Sequence, residues 1–215
     1  MKPVQCISFP RSGHHLLVRC LTQMFDERFQ YCDYYNHCRK IPCRDSATNF
    51  QKSHDFDLRL KLSDGQRRLV QYRHPVDAIS SWFNLSLKQP SIWDRISVQD
   101  TQSSWNRFFN SKIEFWKQFI SKWVIESNCS EQLLVPYHRL LENPADTLNE
   151  VADFLWPAEK IADHKIPYVL EVQDIRPKRS SREFRFCIDG WIAKIELELK
   201  DLLDAASIPR IAKVD

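Results

Sequence analysis

Glycine is scarce in this chain, with three in 215 residues, at positions 13, 65 and 190. So few glycines are placed where the backbone needs a positive φ or where another group comes close. Gly13 falls in an opening turn, Gly65 in the turn Ser63-Asp64-Gly65, and Gly190 in an expected C-terminal loop before Trp191. Long apolar runs are missing as well. No stretch approaches the roughly 18 consecutive apolar residues of a membrane helix, and the N-terminus has no apolar signal region, so a cytoplasmic protein with no membrane partner is expected. A strong charge of either sign is also absent. The net charge is +3 and the sequence pI is near 8.4, short of the pI above about 9 typical of a nucleic-acid-binding domain. Nucleic acid is therefore not an expected partner, and a local anionic ligand is. Self-association as a homodimer is left open by the sequence.

Cysteine is not scarce, but its pattern excludes the familiar uses. Seven cysteines, an odd number without an export signal, point to reduced thiols rather than a disulfide framework. Cys32, His37, Cys38 and Cys43 lie close in sequence, yet no C-x-x-C pair occurs and the spacings lack the close ligand pairs of structural zinc sites. The expectation is a turn-rich segment with incidental thiols and no metal. The triphosphate loop G-x-x-x-x-G-K-[ST] is absent too, which argues against an ATP or GTP hydrolase.

What is present is enough for one core. Hydrophobic residues make up 43% and aromatics 12%, ordinary for a globular chain, and the length predicts a single domain over 1–215. Residues 4–9 read as a strand, followed by a Pro/Ser/Gly turn and a helix from about 14 to 25. An irregular Cys/Tyr-rich stretch to about 48 precedes a short strand at 49–53. Arg68–Arg73 reads as a strand, then His74-Pro75, with a helix from Asp77 as N-cap. From Ser103, Trp105, Phe109, Ile113, Trp116, Ile120 and Trp123 recur at helical spacing and predict a long amphipathic helix. A strand at 132–137, a turn, a helix from Pro144 to before Pro157 and an amphipathic helix near 191–206 follow. Three strand-then-helix units predict an α/β fold, a mostly parallel sheet flanked by helices on both faces.

In such sheets ligands bind beyond the carboxyl ends of the strands. The turn Pro10-Arg11-Ser12-Gly13-His14-His15 would expose N–H groups at a helix N-terminus, a site for phosphate or sulfate. Lys52 and His54, at i and i+2 near a strand end, project to one face and form a candidate cation–base pair, although a strand histidine is ordinarily structural. Arg73 and Ser81 can grip a phosphate, or can merely cap the sheet and pack inside a helix. The basic run at 176–185 is either a solvated face or a cover for a terminal phosphate.

Together these residues resemble the PAPS-dependent sulfotransferases. "PRSGHH" is similar to their 5′-phosphosulfate loop, "QKSHDF" to the segment bearing the catalytic base, "YRHPVDAISSWF" to the 3′-phosphate motif, and "VPYHRLLENPADTLNEVADFL" to a Tyr…Pro–helix segment. The resemblance implies a three-layer, P-loop NTPase-like sulfotransferase fold, PAPS as sulfuryl donor with PAP as product, no metal, and a hydroxyl or amine of a small molecule or sugar as acceptor. It implies His54 as base, with Lys52 and Arg11 stabilising the leaving group. It also implies donor binding by Arg11, Ser12, Gly13, His14, His15, Arg73, Ser81, Tyr137 and Arg185, with Arg182 as rival to Arg185. His14 and His15 stand in place of threonines and Leu16 in place of a tryptophan. A non-catalytic PAP or PAPS binder and a P-loop small-molecule kinase are the competing readings.

Overall fold

Runs of buried residues define the strands. The computed structural model describes residues 3–63, 65–88, 101–157, 165–172 and 185–211. Within them, five strands form one sheet: β1 (Val4–Ser8), β2 (Tyr31–Asp33), β3 (Phe50–Ser53), β4 (Arg68–Tyr72) and β5 (Gln132–Pro136). Their order is β2-β3-β1-β4-β5 and every pairing is parallel. All of β1 and β3 is buried, as expected of interior parallel strands covered on both faces. β2 lies within the Cys/Tyr-rich stretch expected to be irregular.

The chain divides into two compact units. The first holds Met1–Ser8, Ser12–Tyr72 and Asn128–Pro177, and the second Phe9–Arg11, Arg73–Ser127 and Lys178–Asp215. The whole sheet belongs to the first, with α1 (His14–Phe25), α4 (Tyr137–Glu142), α5 (Pro144–Leu155) and α6 (Lys165–Val172). Along α1, His14, Leu17, Cys20, Leu21, Met24 and Phe25 are buried, an i, i+3, i+4 stripe that faces the sheet core. Leu148, Val151, Ala152 and Leu155 of α5 join the same cluster, with Cys6, Phe50, Leu69 and Val135 from the strands. Pro144 occupies the first turn of α5, where its missing N–H is harmless.

The second unit contains α2 (Pro75–Lys88), α3 (Thr101–Ile120), α7 (Arg185–Glu198) and α8 (Lys200–Ala205). α3 runs into one π-type turn at Ser121–Ile125, and the predicted stripe Trp105, Phe109, Ile113, Trp116, Ile120 and Trp123 is buried throughout. Phe83 packs edge-on to Trp105 at 5.2 Å, and Phe109 lies 4.4 Å from Trp191. Three boundaries differ from expectation. α2 begins at Pro75 rather than at Asp77, because His74 O already accepts from Ala78 N–H; proline suits the first helical position. Gly190 lies inside α7 rather than in a loop, which a helix tolerates at about 1 kcal/mol. α4, about one and a half turns directly after β5, occupies the place of the expected turn. No helix among the described residues is long and apolar enough to cross a membrane.

Candidate functional site

At the carboxyl end of β1 the chain turns through two left-handed residues, Arg11 (φ 66°) and Gly13 (φ 85°). Gly13 is the N-cap of α1 and no side chain caps the helix, so its first turn offers backbone donors and the positive end of the helix dipole. A Cβ on Gly13 would collide with the ring of Tyr137, the first residue of α4. Glycine is thus required twice over, by the backbone and by the neighbouring ring. Ser12 is fully buried, and its Oγ has no hydrogen-bond partner among the described residues. An anion oxygen held in this turn would satisfy that hydroxyl, so the local chemistry fits a phosphate or sulfate group.

His14 turns inward. Its Nδ1 lies 3.1 Å from Gln71 Oε1 and its Nε2 3.0 Å from Tyr31 Oη, and its ring stacks on Phe50. An amide oxygen only accepts, so Nδ1 carries the proton and Nε2 accepts from the tyrosine hydroxyl. Both nitrogens are then occupied inside the protein. Burial first and the Lys52 charge second hold this imidazole well below its ordinary range, so it is neutral. What His14 has left for an anion is its backbone. His15 is exposed, its ring edge-on to His14. Leu16 is half-buried against the core of the first unit.

At the carboxyl end of β3, Lys52 is buried and its Nζ lies 3.3 Å from Asp33 Oδ2, with both side chains nearly excluded from solvent. Asp33 also accepts from Tyr35 N–H and Asn36 Nδ2. Two residues on, His54 Nδ1 lies 2.6 Å from the carbonyl oxygen of Ser8. A carbonyl cannot donate, so Nδ1 is protonated and Nε2 bears the lone pair. The ring lies between Tyr35, stacked at 5.7 Å, and Phe56 at 5.0 Å. Burial and then the Lys52 charge pull this imidazole down to about 3, opposed by the Ser8 hydrogen bond and Asp33. Asp33, Tyr35, Phe56 and the Ser8 carbonyl escaped sequence reasoning, since all but Phe56 meet the Lys52–His54 pair through register and packing rather than through a local pattern.

Within the second unit, Arg11 Nε donates to Ser81 Oγ at 3.0 Å. The eight-residue spacing from Arg73 to Ser81 therefore does bring Ser81 to a cation, and that cation is Arg11. Arg73 is half-buried, its Nη2 3.4 Å from Asp77 Oδ2, and its carbonyl accepts from Trp116 Nε1. The intervening His74 is buried and neither ring nitrogen has a hydrogen-bond partner among the described residues. Burial pulls it down to about 4. Arg185 opens α7; Arg182 and the rest of 176–184 lie outside the described residues.

No protein-family model and no curated protein matches the chain. Among solved structures, the fold is similar to that of mouse sulfotransferase SULT7A1, crystallised in complex with PAP, with a TM-score of 0.64 over 97% of this chain and 89% of that one. The two are 12% identical, so the likeness shows the fold: an α/β sulfotransferase fold around a parallel sheet.

Proposed function

We propose that the chain transfers a sulfuryl group from PAPS to a hydroxyl or amine of a small-molecule or sugar acceptor, in the cytoplasm. The observation that carries this reading is the tautomer of His54, whose protonated Nδ1 is held by Ser8 O and whose Nε2 lone pair remains for an acceptor proton. The donor's phosphosulfate would be held by the backbone of Ser12, Gly13, His14 and His15, by Ser12 Oγ and by Arg11, with Tyr137 also assigned to the donor; by the motif resemblance, Arg73, Ser81 and Arg185 are assigned to its 3′-phosphate. When bound, it supplies the sulfuryl group and the leaving group PAP. His54 takes the acceptor's proton at Nε2 as the acceptor heteroatom bonds to sulfur. Lys52 and Arg11 offset the negative charge that leaves with PAP. Lys52 is held in place for this by Asp33. A bound anion raises the proton affinity of His54, opposing the burial and Lys52 terms that depress it in the free protein.

The test is transfer from ³⁵S-labelled PAPS to a panel of alcohols, amines and sugars, beside calorimetric titration with PAP. Wild type is expected to label an acceptor. His54→Ala is expected to bind PAP as before and to lose about 10²–10⁴-fold in rate, the usual worth of a general base. PAP binding with no transfer to any acceptor would favour a non-catalytic binder. Stabilisation by ATP–Mg but not by PAP would favour a small-molecule kinase.

A further inference from the structure

We propose that Cys32, Cys38 and Cys43 form a three-thiolate site for one soft d¹⁰ cation of the zinc type, stapling the excursion between β2 and β3 to the edge of the sheet. The sequence spacing argued against these residues as a ligand set, but the fold removes that objection. Cys32 comes from β2, Cys38 from the end of a π-type turn at Tyr34–Cys38, and Cys43 from the loop beyond it. Their three sulfurs lie within 4.8 Å of one another, and Cys32 Sγ is 3.2 Å from Cys38 Sγ. Zn–S bonds of about 2.3 Å at tetrahedral angles set sulfurs about 3.8 Å apart, inside the range these thiols span. A disulfide would use two of the sulfurs and leave the third unexplained.

In the metal-free chain the three are thiols, with Cys32 Sγ donating to Cys38 Sγ and Cys38 Sγ to Lys40 O, and donors already stand beside two of the sulfurs. Gln51 Nε2 donates to Cys38 Sγ at 3.1 Å, and Thr48 Oγ1 lies 3.5 Å from Cys43 Sγ. Gln51 also accepts from Cys43 N–H through Oε1 and donates to Lys40 O, so one β3 side chain organises two of the three ligands, the kind of outer support that metal sites use. Binding one Zn²⁺ forms three S–Zn bonds and releases the three thiol protons to solvent, leaving a group of net charge −1. Arg39, Lys40 and Arg44, all exposed on the same excursion, offset it. The fourth position is open to water or an outside donor. Cys32 is the register partner of Gln51, and the next pair is Asp33 with Lys52. A cation here therefore fixes the strand pair that carries the Lys52–Asp33 contact, without taking part in group transfer.

The full chain, reduced and handled without oxygen, is titrated with Co²⁺ and then with Zn²⁺. One equivalent of Co²⁺ with thiolate-to-cobalt charge-transfer absorption, displaced by Zn²⁺, is expected. Cys38→Ser and Cys43→Ser, both half-exposed positions checked for folding by circular dichroism, are each expected to lower affinity at least tenfold and remove the absorption; Cys129→Ser should leave both unchanged. A cobalt spectrum without thiolate bands, or bands that survive both substitutions, overturns the site. So does a chain carrying a Cys32–Cys38 disulfide that, once reduced, takes up neither metal.

Discussion

The carboxyl ends of β1 and β3 each deliver a histidine of depressed basicity, and the two are built for different ends. At β1, His14 spends both ring nitrogens on Gln71 and Tyr31, and the turn around it works through backbone, a left-handed glycine and the start of a helix. At β3, His54 spends only Nδ1, on Ser8 O, beside a buried ion pair. Low basicity therefore does not assign a role to a histidine here; the nitrogen left over does. In the proposed function the β1 end would serve as a backbone cradle supported by a structural imidazole, and the β3 end as a charged, side-chain site supported by packing.

The largest test of that contrast is Lys52→Met. It leaves Asp33 buried without its cation and is expected to lower unfolding free energy by about 3–5 kcal/mol, read by urea denaturation; a change under about 1 kcal/mol would mean that the β3 end does not rest on charge. Gly13→Ala probes the cradle. A side chain at φ 85° and a clash with the Tyr137 ring together predict about 2–4 kcal/mol, with weakened PAP binding. Adding Tyr137→Ala should relieve the clash and leave only the backbone part of the loss. Smaller again is His14→Phe, which strands the Tyr31 hydroxyl and leaves Gln71 Oε1 only the Cys6 thiol as donor, at about 1–3 kcal/mol. It should not show the rate loss expected of His54→Ala, and if it does, the two histidines are not different in kind.

How much of this was legible in sequence follows the same division. The β1 end could be read because its features are local: an apolar run, a scarce glycine and a helical stripe lie within twenty residues. β3, β4, β5 and the helices α1, α2 and α5 are readable for the same reason. β2 was not, since three residues, Tyr31-Cys32-Asp33, are too few to show a period, and their strand character comes from pairing with Phe50, Gln51 and Lys52. The partners of Lys52 and the meeting of three cysteines are likewise products of register, which spacing along the chain does not encode. His14 misled for the opposite reason: its position in the motif suggested a ligand donor, whereas its ring is taken by Tyr31 and Gln71, 17 and 57 residues away.

The smallest effect is set by pH and separates the two histidines most finely. An unfolded histidine takes up a proton near pH 6.5. In the folded chain His14 stays well below that, His54 titrates at about 3 and His74 at about 4. The unfolded state therefore binds more protons as pH falls below 6.5, and stability must fall with it. At pH 5.5 the buried His74 alone accounts for a loss of about 1 kcal/mol relative to pH 7.5, with His14 adding in the same direction. His14→Phe should flatten the slope of unfolding free energy against pH between 6.5 and 5, by approaching one proton. His54→Ala should flatten it too, because an imidazole held down to about 3 in the folded chain stays neutral across that range. Catalysis should respond in the opposite pattern. A base that is neutral in the free protein down to about pH 3 leaves kcat/KM without an acid limb near 6.5 in wild type and in His14→Phe alike. An acid limb at 6.5 in both would assign the proton to a histidine of ordinary basicity instead.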